Sequence, residues 1–141
     1  MSVQAVLLPV FVLVALTFAL LVLLGRARGR ALRGGKVRAE ELALDGRAWG
    51  EQSIKVNAAY ENVLAMPVLF YALVAFALIT RKADLLFVIM EWIYVAARFV
   101  QAGIHTTHNN IRRRGAAFGV SVLVLLVMWV IFAMRIVTAG V

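Results

Sequence analysis

The run VQAVLLPVFVLVALTFALLVLL occupies residues 3–24, and only Gln4, Pro9 and Thr17 interrupt its apolar character. A helix rises 1.5 Å per residue, and about 20 apolar residues cross a hydrocarbon core. This run is therefore long enough to span a bilayer. Three more runs follow, at about 56–80, 83–104 and 116–137. They predict an all-α integral membrane protein, a bundle of four transmembrane helices within one domain over 1–141. No basic residue precedes the first run and a dense basic cluster follows it, so it reads as a span rather than a cleaved signal peptide.

Composition agrees. Hydrophobic residues make up 64% of the 141 and charged residues 16%, whereas soluble domains are nearer half and a quarter. Cysteine is absent, which excludes disulfides, thiolate metal sites and a thiol nucleophile borne by the protein. The net charge of +8 lies between apolar runs rather than on a soluble face. It points to topology and anionic lipid, not to nucleic acid.

The loop over residues 25–55 holds Arg26, Arg28, Arg30, Arg33, Lys36, Arg38, Arg47 and Lys55. The third and fourth spans are joined through Arg112, Arg113 and Arg114, while the opposite side has Arg81, Lys82 and Arg135. The positive-inside rule places both loops in the cytoplasm and both termini outside it. Gly25, Gly29, Gly34 and Gly35 predict a flexible start to the long loop. Residues 37–44 predict a short surface helix, and Trp49 suits a membrane interface.

The polar residues inside the spans carry the functional signal. Glu91, Tyr94, Arg98, Gln101 and His105 recur at spacings of three and four, so they share one face of the third helix. Charged groups deep in a bilayer cost several kcal/mol unless they face protein or water, so this face must turn inward. The second helix offers Asn57 and Glu61 at i and i+4, with Tyr60 and Asn62 beside them. Their depth predicts a Glu61–Arg98 pair, within a protomer or across an interface. Asn62, Tyr94 and Gln101 taken singly read as interhelical adhesive. Pro67 should bend the second helix and widen a cavity. His105 and His108 have no third partner, so no metal site is expected. Among Arg112 to Arg114, one residue can lean back toward the cavity.

Two stretches, ENVLAMPVLFY at residues 61–71 and WIYVAAR at residues 92–98, followed by His105, Asn109 and Arg114, resemble the MAPEG family. These are the membrane-associated proteins of eicosanoid and glutathione metabolism. The resemblance covers roughly residues 56–129 and is closest to the bacterial branch, which implies a bacterial inner membrane. It implies a homotrimer that binds glutathione between neighbouring subunits near the cytoplasmic helix ends. Asn57, Tyr60, Glu61, Arg98, Gln101 and His105 would then hold glutathione, and Arg114 would hold its sulfur as thiolate. The implied activity is a glutathione-dependent transferase or peroxidase acting on lipophilic electrophiles that enter from the membrane. The sequence departs from the family pattern in places. Asn57 lies four residues before Glu61 rather than three, with Ala58 in the expected place, and Gln101 stands where many bacterial relatives have histidine. The alternative is a non-catalytic membrane scaffold or accessory subunit of the same fold. A transporter is weaker, because the chain shows no repeats or glycine-broken spans.

Overall fold

The computed structural model describes residues 1–35, 49–108 and 110–139. The surface helix expected at residues 37–44 lies outside them. Five helices account for almost all the rest: α1 (Val3–Arg33), α2 (Glu51–Ala65), α3 (Pro67–Ile79), α4 (Leu85–Thr106) and α5 (Ile111–Ala139). Helices α2 and α3 run on as one broken span, so four helical spans are long and apolar enough to cross a membrane. The fold is a multi-pass helical membrane bundle, as the sequence predicts.

The break falls where Pro67 predicts it. Proline has no N–H to give to the residue four positions back, so α2 stops at Ala65 and Pro67 takes the first turn of α3. The Leu69 amide closes that turn by donating to the Met66 carbonyl at 3.2 Å.

The other ends correct the sequence reading outward. Helix α1 continues nine residues past the predicted boundary at Leu24, through Gly25 and Gly29, to Arg33. Arg, Ala and Leu fill this stretch, and their helix propensity offsets the cost of two glycines, about 1 kcal/mol each. The flexible loop start expected there is helical through Arg33, and the left-handed residue beyond its end is Gly35, at φ 67°. Helix α2 begins at Glu51, where a Glu51–Lys55 ion pair of 3.0 Å supports its first turn. Helix α5 begins at Ile111, so Arg112 to Arg114 belong to its first turn rather than to a loop. The Asn110 side chain caps that turn, accepting from the Arg112 and Arg113 amides at 3.1 and 3.4 Å.

Packing is inside out relative to a soluble protein. Phe11, Phe18, Leu123 and Met134 are exposed, whereas Glu91, Arg98, Gln101 and His105 are buried. Lipid tails are as apolar as leucine, so burial of oily area does not hold such a bundle together. Close contact and polar bonds between helices do. Helix α4 is the hub, packing against α1, α2 and α5. Its Tyr94 ring stacks on Phe70 of α3, with centroids 4.6 Å apart. Leu13, Leu73, Val95 and Met128 complete the contact core.

At the rim formed by the α3–α4 turn, Asp84 caps α4 by accepting from the Phe87 amide at 3.0 Å. Arg135 of α5 reaches back to the same carboxylate at 2.7 Å. The Arg135 hydrogen bond holds the Asp84 carboxyl below its ordinary pKa.

Candidate functional site

At the other end of the bundle, the last turn of α4 and the start of α5 meet the C-terminal half of α2. A cleft of about 510 Å³ opens there, lined by Glu61, Asn62, Met66, His105, Arg114 and Phe118. The break at Met66 shapes its floor. Glu61 is exposed and Arg114 half-buried, whereas Arg112 and Arg113 are exposed. Arg114 is thus the arginine of the three that leans into the cleft.

The buried face of α4 lies behind the cleft. Glu91, Tyr94, Arg98, Gln101 and His105 are all buried within this single chain. The expectation of an inward-facing polar stripe holds. Arg98 is only 1% exposed. Its Nη2 donates to the Asn62 side-chain oxygen at 3.1 Å and to the Asn62 backbone carbonyl. The Glu61–Arg98 pair expected from depth does not form within the protomer. Glu61 points out from α2 and accepts from the Asn57 side-chain nitrogen, Nδ2, at 2.8 Å instead. Residues 61 and 62 are adjacent, so they project about 100° apart on a helix of 3.6 residues per turn. Only Asn62 faces α4. Asn62 therefore has the adhesive role expected of it, and it also lines the cleft.

Several side-chain atoms on this face have no protein partner: both Glu91 carboxylate oxygens, the Tyr94 hydroxyl, Nε and Nη1 of Arg98, Oε1 of Gln101 and Nδ1 of His105. Of the residues expected at the site, Glu61, His105 and Arg114 meet at the cleft. Asn57 is joined to it through Glu61. Arg98 stands behind Asn62, and Gln101 is buried one turn from the cleft. Tyr60 packs partly buried against the apolar core. His105 is buried and His108 exposed, so the two histidines do not converge.

Arg28 escaped the sequence reading. Its Nη2 donates to the Asn57 side-chain oxygen, Oδ1, at 3.2 Å, and its guanidinium lies 5.0 Å from the Trp49 ring centroid. A chain of contacts thus runs from Trp49 through Arg28 and Asn57 to Glu61. In the sequence Arg28 is one of eight cations in a presumed loop. Only the helical extension of α1 sets it apart, by carrying it alongside α2.

The MAPEG family model matches residues 6–134 of the 141. The chain belongs to the MAPEG family. No curated protein and no solved structure matches it. Membership agrees with the four apolar spans and makes this a membrane protein of a family that includes glutathione transferases and peroxidases. The MAPEG match takes in every residue of the cleft, from Glu61 to Phe118.

Proposed function

We propose that this MAPEG protein binds glutathione in the Glu61–His105–Arg114 cleft and uses it as cosubstrate against a lipophilic electrophile or peroxide. The carrying observation is the meeting of a carboxylate, an imidazole and a half-buried guanidinium at one opening. The residues suit such a guest. Glutathione carries an ammonium, two carboxylates and a thiol, and a cleft of about 510 Å³ is within the range of small-molecule sites. Glu61, held by Asn57, offers the acceptor for an ammonium. Arg114 offers a cation for a carboxylate or for the sulfur. A free thiol has a pKa of about 8.5, and a neighbouring guanidinium stabilises the thiolate and lowers it. The protein has no cysteine, so the sulfur must come from the cosubstrate.

The cleft is open along the side of the bundle, and Glu61 is exposed on a helix that spans the membrane. An exposed carboxylate at that position needs a neighbour or water. We assign the neighbour to a second copy of the chain in a homotrimer, with the cleft at the cytoplasmic rim and both termini outside. The orientation rests on the cations of the 25–55 segment and of the α5 first turn.

The test is glutathione added to protein purified in mild detergent. Binding should be accompanied by thiolate absorbance in the ultraviolet, with an apparent pKa below that of the free thiol. Arg114→Leu should abolish the thiolate signal, and Arg112→Leu should leave it. If wild-type protein binds no glutathione at millimolar concentration, the scaffold reading takes the place of the enzyme. Native mass spectrometry reads the trimer independently.

A further inference from the structure

The rim opposite the cleft has a concavity of its own, about 460 Å³, between the α3–α4 turn and the end of α5. It is lined by Arg81, Lys82, Asp84, Arg135 and Thr138. We propose that it is a binding site for the phosphate headgroup of an anionic phospholipid.

Three cations surround one carboxylate, and that carboxylate is engaged. Asp84 accepts from the Phe87 amide through Oδ1 and from Arg135 through Oδ2. Arg135 is engaged too, since its Nη1 donates to the Lys82 carbonyl at 3.2 Å. Among the described residues, no hydrogen bond or ion pair takes up the side chains of Arg81 and Lys82. The concavity therefore keeps two positive charges in surplus, and its one acid is already neutralised.

The backbone gives a second reason. Helix α3 ends in a Schellman turn, in which the Lys82 amide donates to the Ala77 carbonyl at 2.9 Å and the Arg81 amide to that of Leu78 at 3.2 Å. The residue that turns the chain is Arg81, at φ 57°. That is the position where glycine is usual, because a Cβ there is strained. Arg81 is the one non-glycine residue with positive φ among the described residues. Strain held at one point of a structure points to a use for the side chain placed there.

The surroundings choose between a lipid and a free anion. Ile79, Leu85 and Val137 flank the rim and are 78%, 62% and 72% exposed. They make these ends of α3, α4 and α5 an apolar wall. A ligand that satisfies both features has a phosphate at the rim and acyl chains along the wall. A zwitterionic headgroup would bring its own cation against Arg81 and Lys82, so an anionic lipid is favoured.

The test uses the full chain in a neutral detergent, titrated with phosphatidylglycerol or phosphatidylcholine. Bound lipid is counted by native mass spectrometry, and melting temperature is followed in parallel. Phosphatidylglycerol should bind more tightly, and Arg81→Gly and Lys82→Gln should each weaken it about fivefold, the weight of one cation at a membrane surface. Arg81→Gly carries a further signature. Glycine relieves the left-handed turn, so lipid-free protein should melt higher than wild type while gaining less from phosphatidylglycerol. A merely structural Arg81 would not give these opposite signs. If both variants keep the wild-type preference for phosphatidylglycerol, the site is overturned. If glycerol phosphate, which lacks acyl chains, protects as well as the lipid does, the lipid assignment is overturned.

Discussion

Arg98 of α4 is fastened to Asn62 of α2 by a single terminal nitrogen. It donates both to the Asn62 backbone carbonyl and to its side-chain oxygen, the latter at 3.1 Å. This places a buried cation directly behind a residue that lines the cleft. Arg98 is shielded from the cleft by the residue it holds, so in this arrangement it positions Asn62.

The clamp predicts which residues couple in a double-mutant cycle. Asn62→Leu and Arg98→Met should be strongly non-additive in thermal unfolding, with an interaction of about 1.5–3 kcal/mol, the range for a hydrogen bond to a charged group. Glu61→Gln and Arg98→Met should add within about 0.5 kcal/mol, as residues without shared contacts do. Coupling of Glu61 rather than Asn62 to Arg98 would mean that the pair forms across a subunit interface.

Glu91 lies seven residues before Arg98 on the same buried face and is 0% exposed. No neighbouring subunit can reach it in this conformation, and neither of its oxygens has a protein partner. A buried acid without partners contributes nothing that an apolar side chain of similar volume would lose. Glu91→Met should therefore leave the melting temperature unchanged or raise it. Arg98→Met, by contrast, breaks two interhelical bonds and should lower it. A loss of several kcal/mol in Glu91→Met would show instead that ordered water satisfies the carboxyl.

The sequence shows the architecture plainly because the bilayer simplifies it. Four apolar runs give four spans, and spacings of three and four from Glu91 to His105 give the buried face of α4. Pro67 marks the break correctly, since its missing N–H is a local property. Partner choice was not legible. Depth puts Glu61 and Asn62 equally near Arg98, and the rotation of α2 about its own axis decides between them. That rotation comes from packing over the whole helix. The reach of α1 to Arg33 was hidden for a different reason. The positive cluster satisfies a topology rule whether or not it is helical, so charge alone carries no information about Arg28.

At the far rim, the Asp84–Arg135 bridge gives stability a defined pH dependence. The Asp84 carboxyl titrates below its ordinary value of 3.8, because Arg135 bonds to its ionised form. Such a group contributes stability that is fully present above the unfolded pKa and is lost as pH falls through the folded one. The melting temperature should therefore show no Asp84-dependent change from neutrality down to about pH 5. A component should disappear below the ordinary value. The Asp84 side chain is 48% exposed, so screening limits this component to about 0.5 kcal/mol. In Asp84→Asn the cap on α4 is kept, because asparagine caps as well as aspartate, while the acid component should vanish. An acid component of the same size in Asp84→Asn would assign it to another carboxyl.

Arg28 touches the cleft only through others. Asn57 can present either its oxygen or its amide nitrogen to Glu61. Arg28 has only donors, so its bond to the Asn57 oxygen turns the Asn57 nitrogen toward Glu61, which it reaches at 2.8 Å. The Trp49 ring against the guanidinium steadies the first link of this chain. Removing Arg28 frees the Asn57 amide to flip and leaves the Glu61 carboxylate unheld. Arg28→Leu should therefore weaken glutathione binding about fivefold, the equivalent of one lost hydrogen bond of about 1 kcal/mol. Arg26→Leu removes an equal charge from an exposed position and should have no measurable effect. Arg28→Lys should restore part of the affinity, since an ammonium also donates to the Asn57 oxygen but makes a weaker contact with the Trp49 ring. Equal losses in Arg26→Leu and Arg28→Leu would reduce Arg28 to general electrostatics, and the Asn57 orientation argument would fail with it.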